Sequence, residues 1–408
     1  MMVAGDGNER ALEMTGRDKS AGKRRVLLIY RALTPSVRLC GHCQMEYLAT
    51  RGKLEYRAVQ ELKLRVRDIK WADIVLLGRL DSWYEYQLTR MARGAGKYIA
   101  YILDDDLLNI PLQVRSASNY GQPEIQGYIR GMIDLSDAII SPSPLLLDKY
   151  AKGKRAIQIE EPAIDPVEYR PHGKDGPVKI GFAGSIDRIG DIENVLRDAL
   201  IQVKDAFGDR VRIEFLGARP DFAERLGACC EPYIDSYDDY RHTLNALQWD
   251  IGLAPMPDTP FHACKHYNKF SEYAAAGVVG VFSNVQPYVR LRGFYDCAVL
   301  CENTPEAWIK ALGDLINDSD RREECRRKAI LCAREHFSLQ KSAEELEAAL
   351  PEPTRLNVTG TVKCRWLGFM KARNVLKRVA TKVKGCGISG LMVAAITRAK
   401  GIISHRQG

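Results

Sequence analysis

The sequence predicts an α/β protein made of two doubly wound units, each a parallel sheet with helices on both faces. Short apolar runs bounded by turn residues recur along the chain, with helical stretches between them. A segment rich in Pro, Gly and charge, Pro162 to Pro177, interrupts this series before it restarts. Apolar runs of this kind are typical of strands buried on both faces of a parallel sheet. At 408 residues the chain is also longer than one ordinary domain.

Each unit contributes five predicted strands, taken in chain order. The strands of the first unit are Val26 to Tyr30, Ile74 to Gly78, Tyr98 to Leu103, Ala138 to Ser141 and Ala156 to Ile159. The strands of the second unit are Val178 to Gly184, Val211 to Gly217, Ile251 to Pro255, Val278 to Phe282 and Ala298 to Cys301. We therefore expect domains at 25–165 and 178–350, a linker at 166–177, a disordered lead at 1–24 and a basic tail at 351–408.

Composition narrows the class of protein. A chain that is 46% hydrophobic and 27% charged is typical of a soluble globular protein. Its eleven cysteines show no zinc-like pairs of pairs, which favours a reducing, cytoplasmic compartment over a secreted disulfide framework. No apolar run reaches the roughly 18 residues that a membrane-spanning helix needs. The lead lacks the apolar core of a signal peptide.

The net charge of +8 is unevenly distributed. Residues 353–408 carry twelve Lys and Arg and no Asp or Glu, so the rest of the chain has a small excess of acids. A mildly acidic body argues against a nucleic-acid-binding core and for an appended electrostatic anchor.

One segment, Lys265 to Gly277, combines cations, a carboxylate and an apolar face. As a helix it places Lys265, Lys269 and Glu272 on one side and residues such as Tyr267 and Phe270 on the other. Lysines beside a helix start suit a diphosphate, and a carboxylate suits ribose hydroxyls. The alternative is a solvated amphipathic helix whose charges bind nothing.

This segment, with two others, resembles the GT-B family of nucleotide-sugar glycosyltransferases, in particular the large, mostly retaining group of bacterial envelope and polysaccharide enzymes. The matching pieces are Gly181-Phe182-Ala183-Gly184-Ser185, Asp250-Ile251-Gly252-Leu253-Ala254-Pro255 and Lys269 to Gly277. The resemblance covers about residues 25 to 345. It implies two Rossmann-like domains facing a cleft, a nucleotide-diphosphate sugar as donor substrate, and no cofactor or metal.

The resemblance also implies roles for individual residues of the second domain. Glu272 matches the carboxylate that holds the donor ribose, and Arg188 and Lys269 are candidates for neutralising the donor diphosphate. The remaining candidates for donor binding are Gly184, Ser185 and Lys265. A structural ion pair with Asp187 or Asp191 is the alternative for Arg188.

One position departs from the family pattern. Many relatives carry a second glutamate eight positions before the first, whereas this chain has Cys264 there. His262, Lys265 or His266 are the candidates for taking over its contact with the sugar. We keep His262 as a catalytic candidate.

The triplet Asp104-Asp105-Asp106 resembles an acidic motif in the first domain of some such transferases. Asp104 or Asp105 is a candidate for orienting or deprotonating an acceptor hydroxyl. Binding of Mg²⁺ by the triplet and capping of the next helix are the alternatives.

The run Cys40-Gly41-His42-Cys43 spells a dithiol motif. Redox chemistry would require a thioredoxin-like context, and the doubly wound pattern fits this part of the chain better. Arg38, just before the motif, is predicted to face the cleft and meet phosphate or acceptor.

The tail predicts a basic amphipathic helix. Val362, Trp366, Phe369, Leu376, Val379 and Val383 recur at helical spacing with Lys and Arg between them. Residues 355–384 are therefore predicted to bind an anionic membrane surface. A helix docked on this protein or on a partner, and an unstructured tail, are the alternatives.

The resemblance, together with the basic tail, implies a glycosyltransferase that transfers sugar to a glycan or lipid-linked acceptor, in envelope polysaccharide or glycolipid synthesis. It would act at the cytoplasmic face of a membrane, with no nucleic-acid partner. A nucleotide-sugar epimerase and a non-catalytic nucleotide-sugar-binding scaffold are the alternatives.

Overall fold

Two parallel six-stranded sheets form the centre of the protein. The computed structural model describes residues 23–111, 114, 117–170, 176–294, 297–352 and 368–376. The first sheet has the order β2-β1-β3-β4-β5-β6 and the second the order β12-β11-β10-β7-β8-β9. Both confirm the predicted fold class of two doubly wound α/β units.

The strands follow the predicted apolar runs closely. Those of the first sheet are β1 (Arg25–Tyr30), β2 (Glu55–Gln60), β3 (Ile74–Gly78), β4 (Tyr98–Ile102), β5 (Ala138–Ser141) and β6 (Arg155–Gln158). Those of the second are β7 (Val178–Gly184), β8 (Val211–Gly217), β9 (Cys229–Glu231), β10 (Ile251–Ala254), β11 (Val279–Ser283) and β12 (Val299–Cys301). The prediction missed β2 and β9. Each is an edge strand with exposed residues, so neither forms a continuous apolar run.

Helices cover both faces of each sheet. Those of the first domain are α1 (Pro35–Val37), α2 (Cys43–Thr50), α3 (Val66–Trp71), α4 (Trp83–Gly94), α5 (Ala117–Tyr120), α6 (Pro123–Leu135) and α7 (Pro144–Tyr150), with a π-helical turn at Arg38–His42. The helices that follow β7 in the chain are α8 (Ile189–Phe207), α9 (Tyr237–Leu247), α10 (Pro260–Ala263), α11 (Asn268–Ala275), α12 (Pro305–Asn317), α13 (Ser319–His336) and α14 (Leu339–Ala349).

Alternate residues of β1 show why the sheet is buried on both sides. Leu27 and Ile29 belong to the core packed by α4 and α6, whereas Val26 and Leu28 belong to the core on the opposite face. All four are fully buried. Because successive side chains of a strand point to opposite faces, only a continuous apolar run fills both cores.

The chain crosses back to the first domain near its end. Helix α14 packs its Ala343 and Leu346 into the same core as Val26 and Leu28. The Gln44 amide donates a hydrogen bond to Ser342 Oγ at 3.0 Å. The two domains are therefore connected by the chain twice, once after β6 and once where α14 packs back on the first domain.

The helix of the motif segment is shorter than predicted. It begins at Asn268, so Lys265 lies in the preceding turn, and the prediction of one helix from Lys265 was wrong. The turn is held by tertiary contacts, because Tyr267 Oη donates to Glu160 at 2.7 Å and His266 Nε2 lies 3.0 Å from the same carboxylate. The predicted packing face holds, since Tyr267 and Phe270 are fully buried.

Residues 368–376 of the tail form a helix that contacts the first domain. Lys371 Nζ donates to the Leu64 carbonyl at 2.6 Å, and the Arg373 guanidinium lies 4.4 Å from the centre of the Trp83 ring. Phe369 and Leu376 are 61% and 69% exposed. The rest of the predicted 355–384 helix, and nearly all of the lead, lie outside the described residues.

Within the described part of the chain, no helix has both the length and the apolar character needed to cross a membrane.

Candidate functional site

The carboxyl ends of both sheets face a cavity of about 280 Å³ between the domains. That volume is close to the lower limit of about 300 Å³ for small-molecule sites. The sequence-predicted residues that line it are Asp104, Asp105, Gly184, Ser185, Arg188, Lys265, Lys269 and Glu272. Residues from both domains, widely separated in sequence, therefore meet in one place.

Glu272 is the buried carboxylate of this cavity. Its Oε2 accepts hydrogen bonds from Lys269 Nζ at 2.5 Å and from Tyr240 Oη at 2.8 Å. Among the described residues no partner contacts the other oxygen, Oε1. The carboxylate is thus held in place through one oxygen, and the second can accept a hydrogen bond from a ligand.

Lys265 bridges the two domains. Its Nζ lies 2.7 Å from Asp105 Oδ1, and Arg79 lies 3.2 Å from the other oxygen of the same carboxylate. Burial acts to raise the pKa of Asp105, but Lys265 and Arg79 outweigh it and hold the pKa well below its usual range. Asp105 is therefore a fixed anion.

Asp104, one residue earlier, behaves differently. Burial raises the pKa of its carboxyl above the ordinary value, although Arg79 at 2.9 Å opposes the shift. Its Oδ1 is buried and has no hydrogen-bond partner in the described structure. Of the two carboxylates, Asp104 has the higher pKa and is therefore the stronger base.

The third aspartate of the triplet lies away from the small cavity and has a structural role. Asp106 is 1% exposed, pairs with Lys149 at 2.7 Å, and accepts hydrogen bonds from Asn109 and the Tyr150 hydroxyl. Among the described residues no group of three or more His, Cys, Asp or Glu is arranged to hold a metal ion.

Arg188 follows β7, where the resemblance places a diphosphate contact. Its guanidinium lies 3.0 Å from Asp191 and donates to the Pro255 carbonyl at 3.2 Å. The expected ion pair is therefore present, and Arg188 still lines the cavity. The pair orients the guanidinium without removing it from the site.

The close approach of two strand ends shapes one side of the cavity. Gly217, at the end of β8, has a φ of 94°, and a Cβ there would lie 2.3 Å from the Gly184 carbonyl oxygen. A side chain at Gly217 would therefore force the ends of β7 and β8 apart.

A larger cavity of about 1100 Å³ adjoins the first and shares Asp105, Ser185, Arg188 and Lys265 with it. His262 lines this larger cavity. Burial, with Arg188 and Lys265, lowers the pKa of His262 to about 4, so the imidazole is neutral at pH 7. Its Nδ1 lies 2.7 Å from Thr259 Oγ1 and its Nε2 lies 3.6 Å from Asp191.

Known structures share this architecture, although no protein-family model and no curated protein matches the sequence. The sucrose-phosphate synthase of Thermosynechococcus elongatus is 10% identical, with a TM-score of 0.57 over 80% of this chain and 98% of that chain. Anabaena HepE, solved in complex with UDP and glucose, is 12% identical, with a TM-score of 0.54 over 80% and 100%. A putative UDP-N-acetylglucosamine 2-epimerase from Listeria monocytogenes is 13% identical, with a TM-score of 0.51 over 80% and 96%.

A match over four-fifths of the chain must include both sheets. This protein has the GT-B fold. The fold that the resemblance implied is therefore confirmed. At such low identity the likeness concerns architecture, so function must be argued from the chemistry of the cleft.

Two residues that the sequence analysis singled out, Arg38 and Cys264, line neither of the two cavities. Arg38 forms a bidentate ion pair with Asp238 of the second domain, at 2.9 and 3.0 Å. Its contact with phosphate or acceptor stays a prediction. Cys264 is buried, and the Lys149 ammonium donates to its sulfur at 3.2 Å.

The dithiol motif is not activated in this fold. Cys40 is buried, and burial together with the nearby Glu161 carboxylate raises the pKa of its thiol. Burial also raises the pKa of Cys43. Thiols with raised pKa values are poor nucleophiles at pH 7. Cys40 belongs to the core that contains Val26 and Leu28.

Sequence reasoning missed the aromatic wall of the small cavity. Tyr233, Tyr237 and Tyr240 line it, and Tyr233 is 55% exposed. The signal was a cluster of three tyrosines within eight residues, after a strand too short to be recognised.

Proposed function

We propose that this protein is a glycosyltransferase. It moves a sugar from a nucleotide-diphosphate sugar, held by the second domain, to a hydroxyl of a glycan or lipid-linked acceptor, held against the first. The observation that carries the proposal is the cavity where Arg188, Lys265, Lys269 and Glu272 face Asp104 and Asp105 across the domain boundary.

The second domain supplies the groups that a donor needs. Glu272 accepts hydrogen bonds from the ribose hydroxyls through Oε1, because Lys269 and Tyr240 hold the carboxylate by Oε2. Arg188 and Lys269 neutralise the diphosphate. When the bond between the sugar and the diphosphate breaks, these fixed cations stabilise the new charge of the leaving group.

The first domain supplies the carboxylate for the acceptor. Asp104 orients the acceptor hydroxyl and takes its proton as the oxygen bonds to the anomeric carbon, because its carboxylate lines the cavity and its raised pKa suits a base. Asp105 stays ionised and holds Lys265 in the cleft. The resemblance favours retention of anomeric configuration, so the acceptor oxygen bonds to the same face of the sugar that the diphosphate leaves.

A donor panel tests this function. Purified protein would be incubated with UDP-, GDP-, ADP- and dTDP-sugars, with and without a lipid-linked acceptor, while release of nucleoside diphosphate is measured. We expect one donor to bind and to be consumed faster with acceptor present. If no donor binds and none is consumed, the proposal is wrong.

The same panel separates the other two functions. Conversion of a sugar nucleotide to its epimer without acceptor would identify an epimerase, the activity named for the Listeria monocytogenes structure. Donor binding with neither release nor conversion would identify a binding protein. Both products are resolved by NMR of the sugar nucleotide.

We further propose that residues 355–384 attach the enzyme to the cytoplasmic face of an anionic membrane, where envelope polysaccharide or glycolipid is made. The exposed side chains of Phe369 and Leu376 support this placement, because they form an apolar edge that can enter the membrane surface.

Vesicle binding tests the attachment with the full chain. We expect the double change Phe369→Ser and Leu376→Ser to weaken binding to phosphatidylserine vesicles at least about tenfold, because apolar area that enters the bilayer is lost. Leu331→Ser, at an exposed position of α13, is the matched control. Equal vesicle binding by both variants and the unchanged protein would contradict the attachment.

A further inference from the structure

The larger cavity has a composition that the proposed donor site does not explain. Its volume is about 1100 Å³, against about 280 Å³ for the donor cavity, and the four residues that it shares with that cavity are all polar. The two cavities therefore adjoin at these residues, and the larger cavity begins beside the proposed place of sugar transfer.

Several residues that line only the larger cavity are apolar and come from both domains. They are Ile110, Pro111 and Val114 of the first domain and Ile186, Pro257 and Phe261 of the second. Polar groups such as Asn109 and Asn194 lie among them. The cleft thus combines a polar end next to the donor with apolar patches on both walls.

Ile186 is the residue that most needs an explanation. It directly follows Ser185 of the predicted donor loop, it is 57% exposed, and it belongs to none of the buried core clusters. Its neighbours Asp187 and Arg188 are polar, so local sequence gives no reason for an aliphatic side chain there. Because Ile186 lines the larger cavity together with other apolar residues, its side chain can pack against an apolar group of a ligand.

We propose that the larger cavity binds an amphiphilic acceptor. A hydroxyl-bearing head lies at the polar end, near Asp105 and Lys265, and an apolar chain runs along Ile186 of the second domain and Ile110 of the first. This inference rests on the proposed function for the position of the donor, and it selects a lipid-linked acceptor over a free glycan. Because both domains supply apolar contacts, chain binding also holds the domains together.

The test uses two soluble probes that differ only in chain length. Binding of n-octyl β-D-glucopyranoside and methyl β-D-glucopyranoside to the full chain would be measured by calorimetry below the micelle concentration, with and without UDP. We expect the octyl compound to bind at least about tenfold more tightly, since burial of only two methylene groups accounts for such a factor.

Paired variants locate the effect. Ile186→Ser should remove most of the preference for the octyl compound, whereas Leu331→Ser, at an exposed leucine of α13, should retain it. Neither residue lines the donor cavity, so nucleotide affinity should not change in either variant.

The outcomes separate this inference from the proposed function. Equal affinity for the two probes, or equal loss in both variants, would overturn the amphiphile site even if nucleotide sugars bind. An octyl preference that depends on Ile186, in a protein that consumes no donor, would support the amphiphile site and overturn the transferase proposal alone.

Discussion

The two walls of the cleft have the same architecture and opposite chemistry. The first domain presents Asp104 and Asp105, whereas the second presents Arg188, Lys265 and Lys269 around Glu272. In each domain these residues follow the carboxyl end of a parallel strand or lie in the adjoining loops and helix. The backbone therefore decides where functional groups can stand, and the side chains decide which substrate each wall attracts.

The opposite charges of the two walls indicate which substrate each wall binds. A diphosphate is attracted to the cationic second wall and repelled by the acidic first wall, whereas a hydroxyl that must lose a proton needs a carboxylate. Lys265 and Asp105 join the walls by an ion pair, so each domain also holds a counter-charge of the other. Changes on the two walls should consequently affect different steps.

The largest expected effect is on turnover. Asp104→Asn should lower turnover by about 10²- to 10⁴-fold, because the amide cannot take the acceptor proton. Donor affinity should not fall, since a negative charge near the diphosphate is removed. Release of nucleoside diphosphate measures the first quantity and calorimetry the second. Asp187→Asn, an exposed aspartate of the same cleft, is the control, and equal turnover in both variants would refute the role of Asp104.

The next effect is on donor affinity. Glu272→Ala should weaken donor binding by about 10- to 100-fold, the range for loss of hydrogen bonds to a charged group. Glu306→Ala, an exposed glutamate of α12, should leave affinity unchanged. Because Glu272 is buried and paired with Lys269, thermal unfolding must show that the variant is folded. Unchanged affinity in a folded Glu272→Ala protein would remove this carboxylate from the site.

A smaller effect concerns stability against pH. The pKa of Asp105 lies below its unfolded value, so its ion pairs stabilise the fold above about pH 4 and lose this effect as the pH falls toward the folded pKa. The Lys265→Met change should raise the pKa of Asp105, because the ammonium that lowers it is removed. The variant should be less stable than the unchanged protein at pH 7, and this difference in stability should shrink below about pH 4.

Chemical denaturation at several pH values measures this difference. Lys310→Met is the control, because Lys310 and Asp314 are also 2.7 Å apart but the lysine side chain is 76% exposed. The Lys310→Met change should alter the stability only slightly at every pH. A stability difference for Lys265→Met that does not change with pH would show that Asp105 is not its partner.

The smallest effect on stability is expected for a second ion pair between the domains, Arg38 with Asp238. A double-mutant cycle of Arg38→Ala and Asp238→Ala should give a coupling free energy below about 1 kcal/mol, since the Asp238 side chain is 49% exposed. Denaturant unfolding of the four proteins measures it. A coupling well above this value would make the pair a strong interdomain clamp, and the two walls would be less independent than their chemistry indicates.

Particular strands and helices show how much of the fold could be predicted from the sequence. Runs such as Val211–Gly217 and Ile74–Gly78 were recognised at their observed bounds, because a strand buried on both faces must be apolar throughout. Edge strands β2 and β9 obey no such requirement and were missed. The helix of the motif segment was placed three residues too early, because the turn at Cys264–Tyr267 is held by Glu160, a residue distant in sequence.

The sequence by itself determined the two α/β units, the polar residues after their strands, and Glu272 and Lys269 as neighbours on one helix. Local patterns suffice for these, because strand burial and helix spacing act over a few residues. Only the tertiary structure decided that Asp104 is the more basic of the two carboxylates, that Lys265 pairs across the cleft, and that Ile186 stands exposed in its wall. Charge and burial at these positions depend on groups from the other domain or from distant loops, which no local pattern encodes.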